Sequence, residues 1–122
     1  MLKYCVNQWD KNKENLRAAF ENCDIYSDYE DFARLVIENI FPEWGNYKIA
    51  TARSGDGYQG DVVFLITAET YYDSSTIYLT DLSYGSCSVC DTLMSAAESE
   101  ERVDDFMRVA LNFIQSMKHY FD

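Results

Sequence analysis

The chain has 122 residues, of which 48% are hydrophobic and 16% aromatic. This composition predicts one folded domain over residues 1–122 and excludes a wholly disordered chain. The formal net charge of −11 argues against direct binding to nucleic acid or to an anionic membrane, because both are polyanions.

Two features of the chain predict an intracellular protein. The longest apolar run, Val62 to Ile66, is far shorter than the roughly 20 residues that a membrane span needs. The N-terminal residues form no apolar signal-peptide core.

The first third of the chain predicts two helices. Residues Asn12 to Cys23 form a short amphipathic pattern. A capping box, in which Ser27 and Glu30 each satisfy a backbone N–H, predicts the start of the second helix, and Pro42 ends it. The apolar stripe of this second helix consists of Tyr29, Phe32, Leu35, Val36 and Ile40.

Three strands are predicted next. The first alternates from Tyr47 to Ala52, as expected of a half-buried strand, and the third alternates from Thr76 to Tyr84. The second, Asp61 to Thr67, is an uninterrupted apolar run, which predicts a central strand covered on both faces.

The last third predicts two more helices. A short one runs from about Ser88 to Ala97, and a longer amphipathic one begins at Ser99 with Lys118 and His119 in its last turn. The order ααβββαα predicts an α+β fold, in which a three-stranded antiparallel β-meander packs against about four helices.

The segment from Tyr84 to Asp91 places Cys87 and Cys90 at C-x-x-C spacing between a strand and a helix. A helix start stabilises a thiolate, so this spacing is compatible with thiol chemistry or with half of a zinc site. Three further residues could complete such a site if the fold gathers them: Cys5, Cys23 and His119. Small buried cysteines in a tight turn explain the pattern without any chemistry. We assign no metal or cofactor, and a zinc- or thiol-linked module centred on Cys87 and Cys90 is an alternative interpretation.

No catalytic constellation is recognisable in the sequence. His119 is the one histidine, and no Ser–His–Asp or Cys–His pairing follows from the spacing. The glycines Gly55, Gly57 and Gly60 stand among aspartates, which repel phosphate. We therefore expect no catalytic residues and no enzyme.

The acidic residues carry the stronger functional signal. Between Ser54 and Glu101 there are nine acids and no Lys or Arg. One cluster runs from Glu21 to Asp31 and another from Glu98 to Asp105, and tyrosines accompany them. Helix starts favour acids anyway, which explains part of the pattern. If these tyrosines are exposed, they suit a protein interface. The predicted partner contacts, which would meet a basic protein surface, are Asp24, Asp28, Tyr29, Glu30, Asp31, Tyr84, Glu98, Glu100, Glu101 and Asp104.

The segment Tyr84 to Leu93 resembles a group of small, uncharacterised bacteriophage and prophage proteins that carry a Tyr-Gly-Ser-Cys-Ser-x-Cys-Asp motif. Tyr58-Gln59-Gly60 and Met117-Lys118 are also similar, so the resemblance covers about the second half of the chain. It implies a phage gene product acting in the host bacterial cytoplasm. By analogy with other small acidic phage proteins, it implies an inhibitor or modulator of a host nucleic-acid-handling enzyme, as anti-CRISPR proteins and DNA mimics are. A structural or assembly protein of the phage particle is the other interpretation.

Overall fold

A computed structural model describes residues 2–23, 28–55, 59–68, 76–85 and 91–121. Its helices are α1 (Leu2–Glu21), α2 (Tyr29–Ile40), α3 (Thr92–Ala97) and α4 (Arg102–Gln115), with a 3₁₀ turn at Pro42–Trp44. Its strands are β1 (Lys48–Arg53), β2 (Gln59–Ala68), β3 (Thr76–Gly85) and β4 (Lys118–Phe121). The predicted α+β architecture with an antiparallel sheet is confirmed. The predicted number of strands is wrong, because the sheet has four strands in the order β1-β2-β3-β4.

Helix α1 begins ten residues before the predicted start at Asn12. The buried polar residue Asn12 interrupts the apolar stripe between Trp9 and Leu16, so apolar periodicity alone does not extend the helix back to Leu2. Polar side chains dock this half against the end of α2: the amides of Gln8 and Asn12 donate to the Ile40 carbonyl oxygen at 3.2 and 3.0 Å. That carbonyl belongs to the last turn of α2, where no intrahelical donor is available.

Helix α2 is confirmed, but its cap lies one residue later than predicted. Asp28 is the N-cap, and its carboxylate accepts a hydrogen bond from the Asp31 amide at 3.1 Å. Ser27, the predicted cap, lies outside the described residues. The helix ends before Pro42, as predicted.

Strand β2 lies in the middle of the sheet, between β1 and β3, as predicted. Its coverage on both faces is a wrong prediction: Val62, Phe64 and Ile66 are buried, whereas Leu65 remains 40% exposed. The described helices pack on one face of the sheet, where the Phe64 and Phe113 rings meet edge to face at 5.2 Å. We call the opposite face, on which none of the described helices lies, the outer face of the sheet. In β3 the predicted alternation is confirmed, with the even-numbered residues buried.

The C-terminal tail forms a strand, not the last turn of a helix. Helix α4 ends at Gln115, and Lys118 and His119 pair with Leu79 and Tyr78 of β3. Predicting these two residues in a helical turn was wrong, because the tail satisfies backbone groups on an otherwise unpaired edge of β3. The Thr80 hydroxyl donates to the Phe113 carbonyl oxygen at 2.7 Å and fixes the end of α4 against the sheet.

None of the helices in the described part of the chain is both long and apolar enough to cross a membrane.

Candidate protein interface

The two predicted acidic clusters lie at the same end of the helical layer. An aromatic contact holds three helix ends together: the Phe20 ring, at the end of α1, stacks 5.8 Å from Phe32 and 5.2 Å from Phe106. Phe32 lies in the first turns of α2, and Phe106 lies in the first turns of α4. All three phenylalanines are at most 1% exposed. The starts of α2 and α4 therefore stand beside the end of α1.

Arg102 strengthens this arrangement. Its guanidinium donates to the carbonyl oxygens of Cys23 at 3.0 Å and Phe20 at 3.2 Å, which lie at or just beyond the end of α1. A cation at a helix C-terminus complements the helix dipole and its unpaired carbonyl groups. An ion pair at 2.7 Å between Arg17 and Asp104 joins the same two helices. Acids that are about 70 positions apart in the sequence thus share one surface.

We call this surface the acidic end. Its carboxylates are all exposed, and they are Glu21, Asp28, Glu30, Asp31, Glu98, Glu100, Glu101 and Asp104. Asp24, another predicted contact, lies outside the described residues. The remaining predicted acidic contacts are brought together by the fold.

The arginines at this end are already engaged. Arg17 pairs with Asp104, Arg34 pairs with Glu30 at 2.8 Å, and Arg102 binds backbone carbonyl groups. Arg53 lies over the rings of Tyr29 and Tyr84, 5.7 and 4.8 Å from their centroids. The acidic end thus has eight exposed carboxylates and four arginines, and each arginine contacts another group of the same chain.

The crowded carboxylates change the pKa of Asp31. The neighbouring charge of Asp28 raises the pKa of the Asp31 carboxyl, with a smaller contribution from a hydrogen bond between the two side chains. Like charges close together disfavour ionisation, so the raised pKa reports crowded negative charge at the start of α2. A cationic partner would relieve that repulsion.

The prediction that Tyr29 and Tyr84 are exposed contacts is wrong. Tyr29 and Tyr84 are 4% and 6% exposed, so their rings belong to the core. The Tyr29 hydroxyl lies 2.6 Å from the Asp91 carboxylate and 2.9 Å from the Ser83 carbonyl oxygen. The Tyr84 hydroxyl donates to the Ser54 carbonyl oxygen at 2.9 Å. Burial, together with the hydrogen bond to Asp91, raises the pKa of Tyr29. Both rings hold the chain together beneath the acidic end.

Asp91, the last residue of the motif, has a structural role that the predicted contacts do not include. Its buried carboxylate accepts hydrogen bonds from the Gly85 amide at 3.1 Å and the Met94 amide at 3.0 Å, besides the one from Tyr29. Asp91 is the N-cap of α3, so this helix begins after the predicted start near Ser88. The signal was available, because Asp before a short apolar run is a favourable N-cap. One carboxylate thus ties together both sides of residues 86–90.

The fold excludes one of the possible metal sites, a site that combines Cys5 with Cys23. Cys87 and Cys90 lie outside the described residues, so their chemistry stays a prediction. Cys5 lies in the first turns of α1 and Cys23 just beyond its end at Glu21, which is about 24 Å from Cys5 at 1.5 Å per residue. One metal ion cannot bind both. Burial raises the pKa of the Cys5 thiol to about 11, and the described residues contain no group of three or more potential metal ligands.

An open cleft of about 380 Å³ adjoins the acidic end. It lies between the start of α2 and the inner face of β1, and its lining residues are Asp28, Tyr29, Glu30, Thr51, Arg53 and Val62. Two carboxylates at its mouth suit a partner's Lys or Arg side chain.

No protein-family model, curated protein or solved structure matches this chain.

Proposed function

We propose that this chain is an acidic binding protein of the phage type, which occupies the basic nucleic-acid-binding surface of a host enzyme and thereby inhibits or modulates it. The observation that carries the proposal is the convergence of two carboxylate clusters on one end of the molecule, around the Phe20 contact. The net charge of −11 and the motif resemblance point the same way.

The physical mechanism is electrostatic steering followed by occlusion. Nucleic-acid sites present Lys and Arg arrays that neutralise phosphates, and a dense group of carboxylates offers those arrays an alternative anion. Complementary charge raises the association rate, and this effect weakens as salt screens it. Arg17 and Arg34 already partner two of the carboxylates, so the excess negative charge of the others is directed to solvent.

The proposed contacts are carboxylates, without the tyrosines. Tyr29 and Tyr84 are buried and hydrogen-bonded, so they support the surface from beneath. The remaining proposed contacts are Asp24, Asp28, Glu30, Asp31, Glu98, Glu100, Glu101 and Asp104.

The test is a pull-down of the tagged chain from bacterial lysate, followed by washes at low and then high salt and by mass spectrometry. We expect a basic nucleic-acid enzyme that is retained at low salt and released at high salt. Nucleic acid added to the lysate should compete with the chain for that enzyme.

A matched pair of variants makes the test specific. Glu100→Lys with Glu101→Lys reverses two charges in the acidic end, and Asp10→Lys with Glu14→Lys makes the same charge change on exposed residues of α1. We expect the first variant to lose the partner and the second to keep it. Equal loss in both would mean that net charge alone matters, and equal retention would exclude Glu100 and Glu101 as contacts.

A further inference from the structure

A second surface stands apart from the acidic end: the outer face of the sheet. Strand pairing places its side chains in rows that run across the strands. From one end of the sheet to the other, the rows are Lys48–Thr67–Ile77, then Ala50–Leu65–Leu79–Lys118, then Ala52–Val63–Asp81, and finally Asp61–Ser83.

The centre of this face is apolar and incompletely covered. Leu65 is 40% exposed, and its neighbours Val63, Ile77 and Leu79 are only partly buried. The described helices lie on the opposite face, so none of them shields this centre. An apolar sheet face bounded by charges is typical of a protein contact surface.

The charges of the outer face are arranged by sign. Lys48 and Lys118 lie in the first two rows, whereas Asp81 and Asp61 lie in the last two. Within the described ranges these four groups form no ion pair with one another. The face is therefore positive at one end, apolar in the middle and negative at the other end.

We infer that this face binds a second copy of the chain and forms a two-fold symmetric homodimer. A two-fold axis between the faces, perpendicular to the strands and crossing between the rows of Leu65 and Val63, places each row opposite the complementary row. Lys118 of one copy then stands one strand away from Asp81 of the other. Lys48 stands one strand away from Asp61 in the same way. Strands are about 4.8 Å apart and packed sheets about 10 Å apart, which an extended lysine side chain bridges.

The same symmetry keeps the two acidic ends of the dimer far apart, which limits the repulsion between two highly charged copies. The acidic end lies at the Asp61 end of the sheet, because Tyr29 at the start of α2 contacts the Ser83 carbonyl oxygen in that row. An axis perpendicular to the strands sends the two acidic ends to opposite ends of the dimer. Their mutual repulsion is then screened over several Debye lengths.

The size of the face sets the expected affinity. Four strands and about four rows at these spacings give a footprint on the order of 400 Å² per copy. Standard stable interfaces bury about 800 Å² per partner, so we expect a dissociation constant in the micromolar range.

The experiment is sedimentation equilibrium of the full chain with a reducing agent, from about 1 to about 300 µM and at about 150 mM salt. We expect a reversible monomer–dimer equilibrium. Leu65→Glu should raise the dimer dissociation constant on the order of a hundredfold, because two carboxylates would be buried in an apolar contact. Val6→Glu is the matched control, since Val6 is 44% exposed on α1, and it should leave the equilibrium unchanged.

A charge swap tests the symmetry itself. Asp81→Lys alone and Lys118→Asp alone each place like charges opposite one another, so each should raise the dissociation constant about tenfold or more. An equimolar mixture of these two variants should form a heterodimer, because both contacts are then complementary. Thermal unfolding of every variant shows that it is folded.

Three outcomes would overturn the inference. The wild-type chain would remain monomeric over the whole concentration range, or Val6→Glu would disrupt a dimer that Leu65→Glu leaves intact, or the mixed charge variants would fail to associate. A monomer that is captured by another protein through this face would likewise replace the second copy as the occupant.

Discussion

Asp28 and Asp91 each cap a helix, and their surroundings give them opposite roles. Asp28 caps α2 and Asp91 caps α3, each accepting a backbone amide three residues ahead at 3.1 and 3.0 Å. Asp28 is exposed and stands beside other carboxylates, whereas Asp91 is 5% exposed and accepts two further hydrogen bonds. An N-cap is recognisable in a sequence from local residue type. Whether its charge is directed to solvent or used within the fold depends on what packs above it.

This difference separates the proposed binding surface from the hydrogen-bond network that supports it. Asp91 fixes Gly85, Tyr29 and the start of α3 in one network, and α2 therefore meets the end of β3 at a set position. Asp28 and Asp31 lie at the start of that helix with exposed carboxylates, and the charge of Asp28 raises the pKa of the Asp31 carboxyl. Specific electrostatic recognition needs charges on rigid supports, because a mobile charge loses entropy on binding.

The largest effect should come from removing the Asp91 carboxylate. Asp91→Ala leaves the Tyr29 hydroxyl and the amides of Gly85 and Met94 without this acceptor, and we expect a loss of about 3 kcal/mol in the free energy of unfolding. Asp28→Ala removes one exposed cap, and we expect about 1 kcal/mol. Urea unfolding of both variants measures the comparison. Equal losses would mean that the burial of Asp91 adds nothing to its role as a cap.

A smaller effect should follow from removing one hydroxyl of the network. Tyr29→Phe keeps the buried ring but leaves Asp91 without its 2.6 Å partner, so we expect a loss of about 1.5 kcal/mol. Tyr84→Phe is the matched control, because its hydroxyl bonds a neutral carbonyl group and should cost about 1 kcal/mol.

A double-mutant cycle completes this test. The Tyr29→Phe and Asp91→Ala losses should be less than additive, since one hydrogen bond is removed in both. The Tyr84→Phe and Asp91→Ala losses should add. Additive losses for the first pair would show that Tyr29 and Asp91 do not share a network.

The hydrogen-bond network of Asp91 and strand β4 are two features that the local sequence pattern does not encode. The amphipathic stripe of α2 and the alternation of β3 are strong periodic signals, and both elements form where the periodicity predicts them. Residues Lys118 to Phe121 carry no alternation, and they become β4 because β3 offers an unpaired edge. Their structure depends on a neighbour that is distant in sequence.

In the candidate site, too, the sequence predicts the residues but not their arrangement. The acidic residues were found from composition, because charge is a property of the residue itself. Their convergence was not predictable, since it rests on the packing of Phe20 against Phe32 and Phe106 across three helices. Predicting Tyr29 as an exposed contact was wrong for a related reason. Its position in the sequence fits an exposed contact as well as a buried ring with a polar tip. The uninterrupted apolar run in β2 suggested two covered faces, but helices cover one, which leaves Leu65 on the outer face.

The smallest predicted effect concerns the charge of Asp28 itself. Asp28→Asn keeps an acceptor for the Asp31 amide and removes the negative charge. Because Asp28 is the main cause of the raised Asp31 pKa, the variant should lower the pKa of Asp31 towards its ordinary value. Titration of the Asp31 carboxyl by NMR measures this shift directly.

The same substitution should change how stability depends on pH. A raised carboxyl pKa means that the folded chain holds the Asp31 proton more tightly than the unfolded chain does, so this site loses stability as pH rises through the carboxylate range. Through this site, Asp28→Asn should therefore lose less stability than the wild-type chain as the pH rises from below the carboxylate range to neutral. Glu14→Gln, an exposed change on α1, should show no such pH-dependent difference. An Asp31 pKa that stays raised in Asp28→Asn would remove crowded charge at the start of α2 as its cause, and with it one support for a cation-binding surface there.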